Sequence, residues 1–328
     1  MNRGAALTEA LLVTLATPTT WPLALAGFLI RGGIILVALP IVVLPTPVGL
    51  GNVVAPSLTS IAFGSVSVEV LVVTTAVLVG ALAWLVAGGW LAAALEAEGT
   101  RIVALDTDLT TRRAGPVAPT TGRMAARILA ARLLANIPLG LVLAWGSTRL
   151  VLVAYHELTS PLDVSSPIVL RVLRGAPEVV VAIVVAWMIG QLVGALAARR
   201  IVLARAGVAG ALRSALVTCL RHPLSTLADF WIPTCILVAA LVPSAIATGS
   251  ATAAAGAVLV EPDDPVRVLT AVLSLVLLWI VGLLLASVVC AWRAAVWTVA
   301  DVARDGTFGG SADRRPGDWR SDRSSANL

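Results

Sequence analysis

Six apolar runs, each close to or above the ~20 residues that a helix needs to cross a hydrocarbon core, constrain this chain more than any other feature of it. They cover roughly Pro22 to Leu44, Val66 to Leu95, Ile137 to Tyr155, Pro177 to Ala198, Leu227 to Thr248 and Val266 to Val289. A backbone in lipid must satisfy its own polar groups, so each run reads as a spanning helix. The first run is too long for a signal-peptide core, which takes about 7 to 15 residues, and no polar domain follows it. Only 12% of the 328 residues are charged, against about a quarter in soluble domains, which leaves no room for a separate soluble catalytic domain. The expected fold is all-α: one polytopic membrane domain over residues 1–303 and a disordered, polar cytoplasmic tail over 304–328.

Orientation follows from arginine. All 23 basic residues are Arg, a habit of GC-rich bacterial genomes, and most flank the N-terminal ends of odd spans and the C-terminal ends of even ones. Positive flanks stay in the cytoplasm, so both termini are expected on the cytoplasmic side of a bacterial inner membrane. The outer connections agree: Pro45 to Ser65 is uncharged, and Gly249 to Pro265 carries Glu261, Asp263 and Asp264 without a base. A formal charge of +5 and a pI near 10.3 raise the question of nucleic acid. Because the bases bracket apolar runs, anionic lipid headgroups are the expected partner instead. Arg123, Arg127, Arg213 and Arg221 are the candidate headgroup contacts. Trp21, Trp90, Trp231, Trp292 and Trp297 fall near inner span ends, where indoles favour the headgroup level, whereas Trp84, Trp145, Trp187 and Trp279 lie deeper and read as packing residues.

Self-comparison brings out a threefold pattern. Leu11 to Pro45, Ile128 to Pro161 and Ala215 to Thr248 each read as a short Leu/Ala-rich helix, a break at Pro18, Pro138 or Pro223, and then a span. With the return helices, the unit is interfacial helix plus helical hairpin, over about 5–98, 122–200 and 207–303. In the third copy Leu212, Leu216 and Leu220 form the apolar stripe of a surface-lying helix, with Arg213, Ser214, Thr218 and Arg221 on the polar side. Extension of the spans is the alternative reading of all three short helices. Glu96 to Gly122 is polar and reads as a mobile cytoplasmic loop, and Glu157 to Pro177 as an outer loop with a turn or two of helix.

Ionisable groups inside spans are costly and demand an explanation. Arg31 and Arg149 occupy matching places in the first two repeats, and Glu69 and Glu178 open the return helices. The expected pairs are therefore Arg31 with Glu69 and Arg149 with Glu178, acting as locks on hairpin register; an outward-opening anion site is the functional alternative. Asp229 and Arg293 form a third candidate pair near the inner face. Asn136 and Gln191 can hydrogen-bond between helices, and Gly190, Gly194 and Ala198 offer a small-residue face, for packing within the bundle or for dimerisation.

Motifs for soluble-type chemistry are missing: there is no phosphate-binding Gly-rich loop, H-E-x-x-H or G-x-S-x-G. His156 and His222 fall on opposite sides of the membrane, and Cys219, Cys235 and Cys290 read as small packing residues. No catalytic residue, cofactor or metal is expected. The interfacial helices ending in R-H-P or N-I-P, with the closing AWRAAVWTVAD from Ala291 to Asp301, resemble uncharacterised bacterial six-span proteins grouped with the membrane domain that accompanies some glycerophosphodiester phosphodiesterases. This chain has neither the phosphodiesterase domain nor its His/Glu metal set, so the resemblance implies the membrane architecture and not the activity. The expected function is that of a non-enzymatic scaffold or lipid-binding subunit, with a protein partner or a second copy as further candidates. The alternative is a transporter or permease subunit with a polar site near Arg31 and Arg149.

Overall fold

The computed structural model describes residues 3–42, 67–106, 119–159, 168–260 and 264–308, and among these every regular element is a helix. In chain order they are α1 (Arg3–Ala16), α2 (Thr20–Phe28), α3 (Ile34–Ala38), α4 (Val68–Ala83), α5 (Gly89–Asp106), α6 (Gly122–Ala135), α7 (Ile137–Thr159), α8 (Ile168–Gly175), α9 (Pro177–Leu203), α10 (Val208–Arg221), α11 (Pro223–Val260) and α12 (Pro265–Phe308). A π-helical turn, Leu29–Gly33, joins α2 to α3, and another, Trp84–Gly88, joins α4 to α5. Six stretches are long and apolar enough to cross a membrane: Thr20–Ala38, Val68–Asp106, Ile137–Glu157, Pro177–Leu203, Pro223–Val260 and Pro265–Val302. The uncharged connection from Pro45 to Ser65, Glu261, Asp263 and the tail beyond Phe308 lie outside the described residues.

The breaks ahead of three spans have local causes. Pro18 has no N–H to continue α1, and the Thr17 hydroxyl donates to the Val13 carbonyl at 2.7 Å, closing the last turn. Asn136 alone separates α6 from α7 and donates from Nδ2 to the Arg132 carbonyl at 2.8 Å. His222 separates α10 from Pro223, the first residue of α11. Helix starts carry the side chains that cap orphan N–H groups: the Thr121 hydroxyl accepts from Met124 N at 3.2 Å and Asp264 Oδ1 from Val266 N at 2.9 Å.

Two sequence expectations need correction. The polar segment from Glu96 is not a loop at its start, because α5 continues to Asp106. Ala93, Ala97, Thr100 and Ala104 form a buried stripe of small residues at helical spacing, which packs this segment into the bundle. Similarly, α12 runs past Arg304 to Phe308 before the tail.

Packing is concentrated at one end, here termed the base. Ala93, Ala97, Ala125, Ile128, Ala131, Leu196, Ala197, Ala211, Ala215, Phe230 and Trp297 form its main core. A second cluster joins Ala10 and Val13 of α1 to Trp292, Ala295, Val296 and Val299 of α12. Alanine dominates because close helix approach, rather than exclusion of water, provides the attraction between helices in lipid. The central helix is α9, with 44% of its most apolar window buried. Away from the base burial is sparser, with Val179, Leu237 and Ala255 among the few buried residues, and α4 has no buried residue.

Gly190 and Gly194 face the C-terminal end of α6, so this small-residue face serves packing inside the bundle. A Cβ at Gly190 would stand 3.3 Å from the Ala135 carbonyl and collide with the Asn136 side chain, and one at Gly194 would meet Arg132 Cγ at 3.5 Å. Ala198 is buried on the same helix. The tryptophans also depart from expectation: Trp292 and Trp297 are core residues, whereas Trp84 and Trp145 are half exposed. Several indoles act as struts, donating to backbone carbonyls on other segments: Trp21 to Thr14 at 2.8 Å, Trp84 to Ile30 at 3.0 Å and Trp292 to Leu7 at 3.2 Å.

Overpacking predicts that Gly190→Val lowers stability by about 1–3 kcal/mol. Gly99→Ala, where a Cβ meets nothing within 4 Å, should be neutral or stabilising by up to about 1 kcal/mol. Thermal unfolding in mild detergent checks both, and equal effects would contradict the assigned packing.

Candidate functional site

One carboxylate gathers the base. Glu96, on α5, is buried with 8% of its side chain exposed, yet three arginines from three other segments reach it. Arg132, near the end of α6, grips it with both arms of its fork: Nε donates to Oε2 at 2.8 Å and Nη2 to Oε1 at 2.6 Å. Arg199 of α9 donates from Nη1 to Oε1 at 2.6 Å. Arg31, in the turn between α2 and α3, donates from Nη2 to Oε2 at 2.5 Å and to the Ala92 carbonyl at 3.2 Å. Arg199 also bonds the Ala195 carbonyl at 3.1 Å and, at 3.5 Å, the Ala294 carbonyl of α12. Bidentate, charge-assisted bonds of this kind are the strong ones, and here they define the relative placement of five segments.

Arg31 is placed by a break in its own span. Gly32 has φ +102°, a conformation that a side chain disfavours, and Arg31 sits at φ −81°, ψ 16°. The freed Ile30 carbonyl accepts from the Trp84 indole at 3.0 Å. Trp84 opens the π-helical turn of the neighbouring span, so two irregular turns lie side by side. Turns of this type are frequent at functional sites.

Arg31 is paired with Glu96 and not with Glu69, which is exposed in the first turn of α4. The sequence reading set Arg31 level with the outer end of its hairpin, but the packing sets it level with Ala92 and Glu96, the latter 27 residues beyond Glu69 along the neighbouring span. Arg149 Nε lies 3.3 Å from Glu178 Oε1, with both side chains half exposed. Arg293 lies over the Phe230 ring at 5.7 Å, and Phe230 meets Trp187 and Trp231 edge-on. Asp229 is buried next to Phe230 in sequence. Arg123, Arg127, Arg213 and Arg221 are all exposed on α6 and α10.

Around this centre, Arg200 Nη2 meets Asp301 at 2.9 Å, and Asp301 is fully buried on α12. Glu98 pairs with Arg101 and accepts from the Thr120 hydroxyl at 2.7 Å, which ties α5 to the residues before α6. Sequence reasoning missed Glu96, Arg132 and Arg199 as a unit. Their signal was the Ala93, Ala97, Thr100, Ala104 spacing, which carries helical burial through the acid.

The cluster is rich in donors and poor in proton acceptors. Among the described residues no group of three or more His, Cys, Asp or Glu has the spacing to hold a metal ion. What the guanidinium set can do is orient and neutralise an anion. Comparison with protein families, curated proteins and solved structures finds no match to this chain.

Removing one member of a buried ion cluster leaves the others uncompensated. Glu96→Gln is expected to lower stability by about 3–5 kcal/mol, while Glu98→Gln, at the more exposed pair, should cost at most about 1 kcal/mol. Denaturation in mild detergent separates the two; comparable losses would remove the special role of Glu96.

Proposed function

We propose that this chain is a non-enzymatic, multi-pass protein of the bacterial cytoplasmic membrane that binds lipid and serves as a subunit of a membrane assembly. One observation carries the reading: the buried core is concentrated at the base, while the spans above it present extensive apolar surface. Four helices illustrate the contrast, with Leu71, Val79, Leu141, Val151, Val238, Ile246, Leu273 and Leu284 all more than half exposed. Surface of that extent needs lipid or a partner's helices to cover it. The base supplies the polar half of the reading. Arg123 and Arg127 on α6, with Arg213 and Arg221 on α10, point outward from helices whose alanine faces are buried, an arrangement suited to anionic headgroups.

The base is the cytoplasmic end in this proposal, with both termini on that side. The threefold organisation belongs to it too: α1, α6 and α10 are each 14 residues long, and each precedes a break and a span. The resemblance to the membrane domain that accompanies some phosphodiesterases fits a module without chemistry of its own. Periplasm-specific reporters fused to either terminus should stay silent, and a signal from one would reverse the orientation. Purification in mild detergent followed by mass spectrometry should find anionic lipid or a partner bound. A chain that emerges alone and lipid-free would sink the proposal.

The discontinuous first span supports a second reading, a transporter or permease subunit. Transporters build substrate sites at broken helices, and the break at Gly32 adjoins a cationic cluster. On that reading, replacing Arg31 and Arg149 by Leu abolishes anion uptake in a reconstituted system. Unchanged uptake by a folded double variant removes it.

A further inference from the structure

We propose that the arginine cluster on Glu96 is a binding site for a phosphoryl group, entered from the side of the bundle at Arg31. The inference deepens the lipid-binding reading and rests on it for the membrane placement of the base.

Charge is the first argument. Arg31, Arg132 and Arg199 converge on one carboxylate, so the cluster is cationic as it stands. Arg293, over Phe230, adds a further guanidinium close enough to interact with Arg132, Arg199 and Glu96. Asp301, which Arg200 meets at 2.9 Å, also acts on Arg199, and Asp229 is a further buried acid; even with both counted, Arg31, Arg132, Arg199, Arg200 and Arg293 outnumber the three carboxylates. Positive charge withdrawn from water in excess of its counter-charge is costly, and an anion bound among the guanidinium groups removes the cost.

Unused donors are the second. Arg31 employs Nη2 alone, for Glu96 and the Ala92 carbonyl, so its Nε and Nη1 have no acceptor among the described residues. Arg199 is buried to 3% exposure and its Nε has no partner. These N–H groups belong to guanidinium planes that already share one carboxylate, and a tetrahedral oxyanion offers several oxygens to planes of different orientation.

Access is the third. Arg31 is 37% exposed, against 15% for Arg132. Arg31 immediately precedes the Gly32 break, and Ile34, Ile35 and Leu36, which follow it in the chain, are all more than half exposed. In a bilayer those neighbours contact lipid, so an anion arriving there is a lipid phosphodiester entering laterally or a phosphate ion entering from the aqueous side. Both present the same phosphoryl oxygens to the fork.

The test uses the full chain and the variants Arg31→Gln, Arg31→Lys and Arg174→Gln. In one arm, thermal unfolding in neutral detergent is followed by tryptophan fluorescence in sodium phosphate and in sodium chloride of equal ionic strength. In the other, native mass spectrometry scores lipid retained from nanodiscs that contain phosphatidylglycerol and phosphatidylcholine. Arg31→Gln should weaken binding about tenfold, as expected for one lost charge-assisted contact. Arg174→Gln, which alters an exposed arginine on α8 outside the cluster, should behave as wild type. Retained lipid that is lost in Arg31→Gln supports the site with a lipid source. A phosphate-specific stabilisation lost in Arg31→Gln supports it with free phosphate as the source. Lipid held equally by wild type and Arg31→Gln, with no phosphate effect, overturns the site while the lipid-binding reading stands. Wild type that responds in neither arm overturns the site as well. Should Arg31→Gln fail to fold, Arg31→Lys decides: lysine keeps the charge without the fork, so several-fold weaker binding is expected, and wild-type binding overturns the proposal.

Discussion

A single carboxylate holding three guanidinium groups is the constraint on which the base of this bundle depends. Glu96 links α5 to α6, to α9 and to the broken first span, and through Arg199 it reaches the backbone of α12. Helices in lipid gain little from mutual hydrophobic burial, since lipid tails serve as well. Specificity must therefore come from close backbone approach and from polar bonds with no alternative partner. Both are present at the base: alanine and glycine surfaces bring α5, α6 and α9 together, and the ion cluster sets their register.

Charge and small residues stitch one end of the bundle, and the spans above it carry most of the exposed apolar surface. The broken first span stands at the boundary between the two. There the Gly32 backbone gives up helical hydrogen bonds, the Trp84 indole restores one of them, and Arg31 is aimed sideways into the cluster. Breaking a helix in lipid is costly unless neighbours satisfy the freed groups. The indole and the carboxylate supply that compensation here.

Much of the architecture was legible in the chain itself. The six spans follow from run length, and the corrections to their ends are extensions into residues that are polar by composition but amphipathic by spacing, as at Thr100 to Asp106. The proline and asparagine breaks at Pro18, Asn136 and Pro223 were legible for the same reason: backbone chemistry there is local. The candidate site was less so. Arg31 stood out as an arginine inside an apolar run, but its partner did not, since Glu96 opened a stretch that reads as loop. Arg132 and Arg199 looked like ordinary positive flanks, and no one-dimensional pattern distinguishes a flanking arginine that faces solvent from one that turns inward.

Run length, charge asymmetry and break residues are properties of short stretches, and they set the number of helices, their approximate limits and the side on which arginine accumulates. Which arginine meets which acid is decided only when helices distant in the chain come within a few ångströms. Electrostatic partnering depends on distance in space, and a 65-residue separation between Arg31 and Glu96 carries no mark of it. Glu69 and Glu96 stand 27 residues apart on one span, about 40 Å of helix at 1.5 Å per residue, and only the packing of the first span against it decides which acid comes level with Arg31.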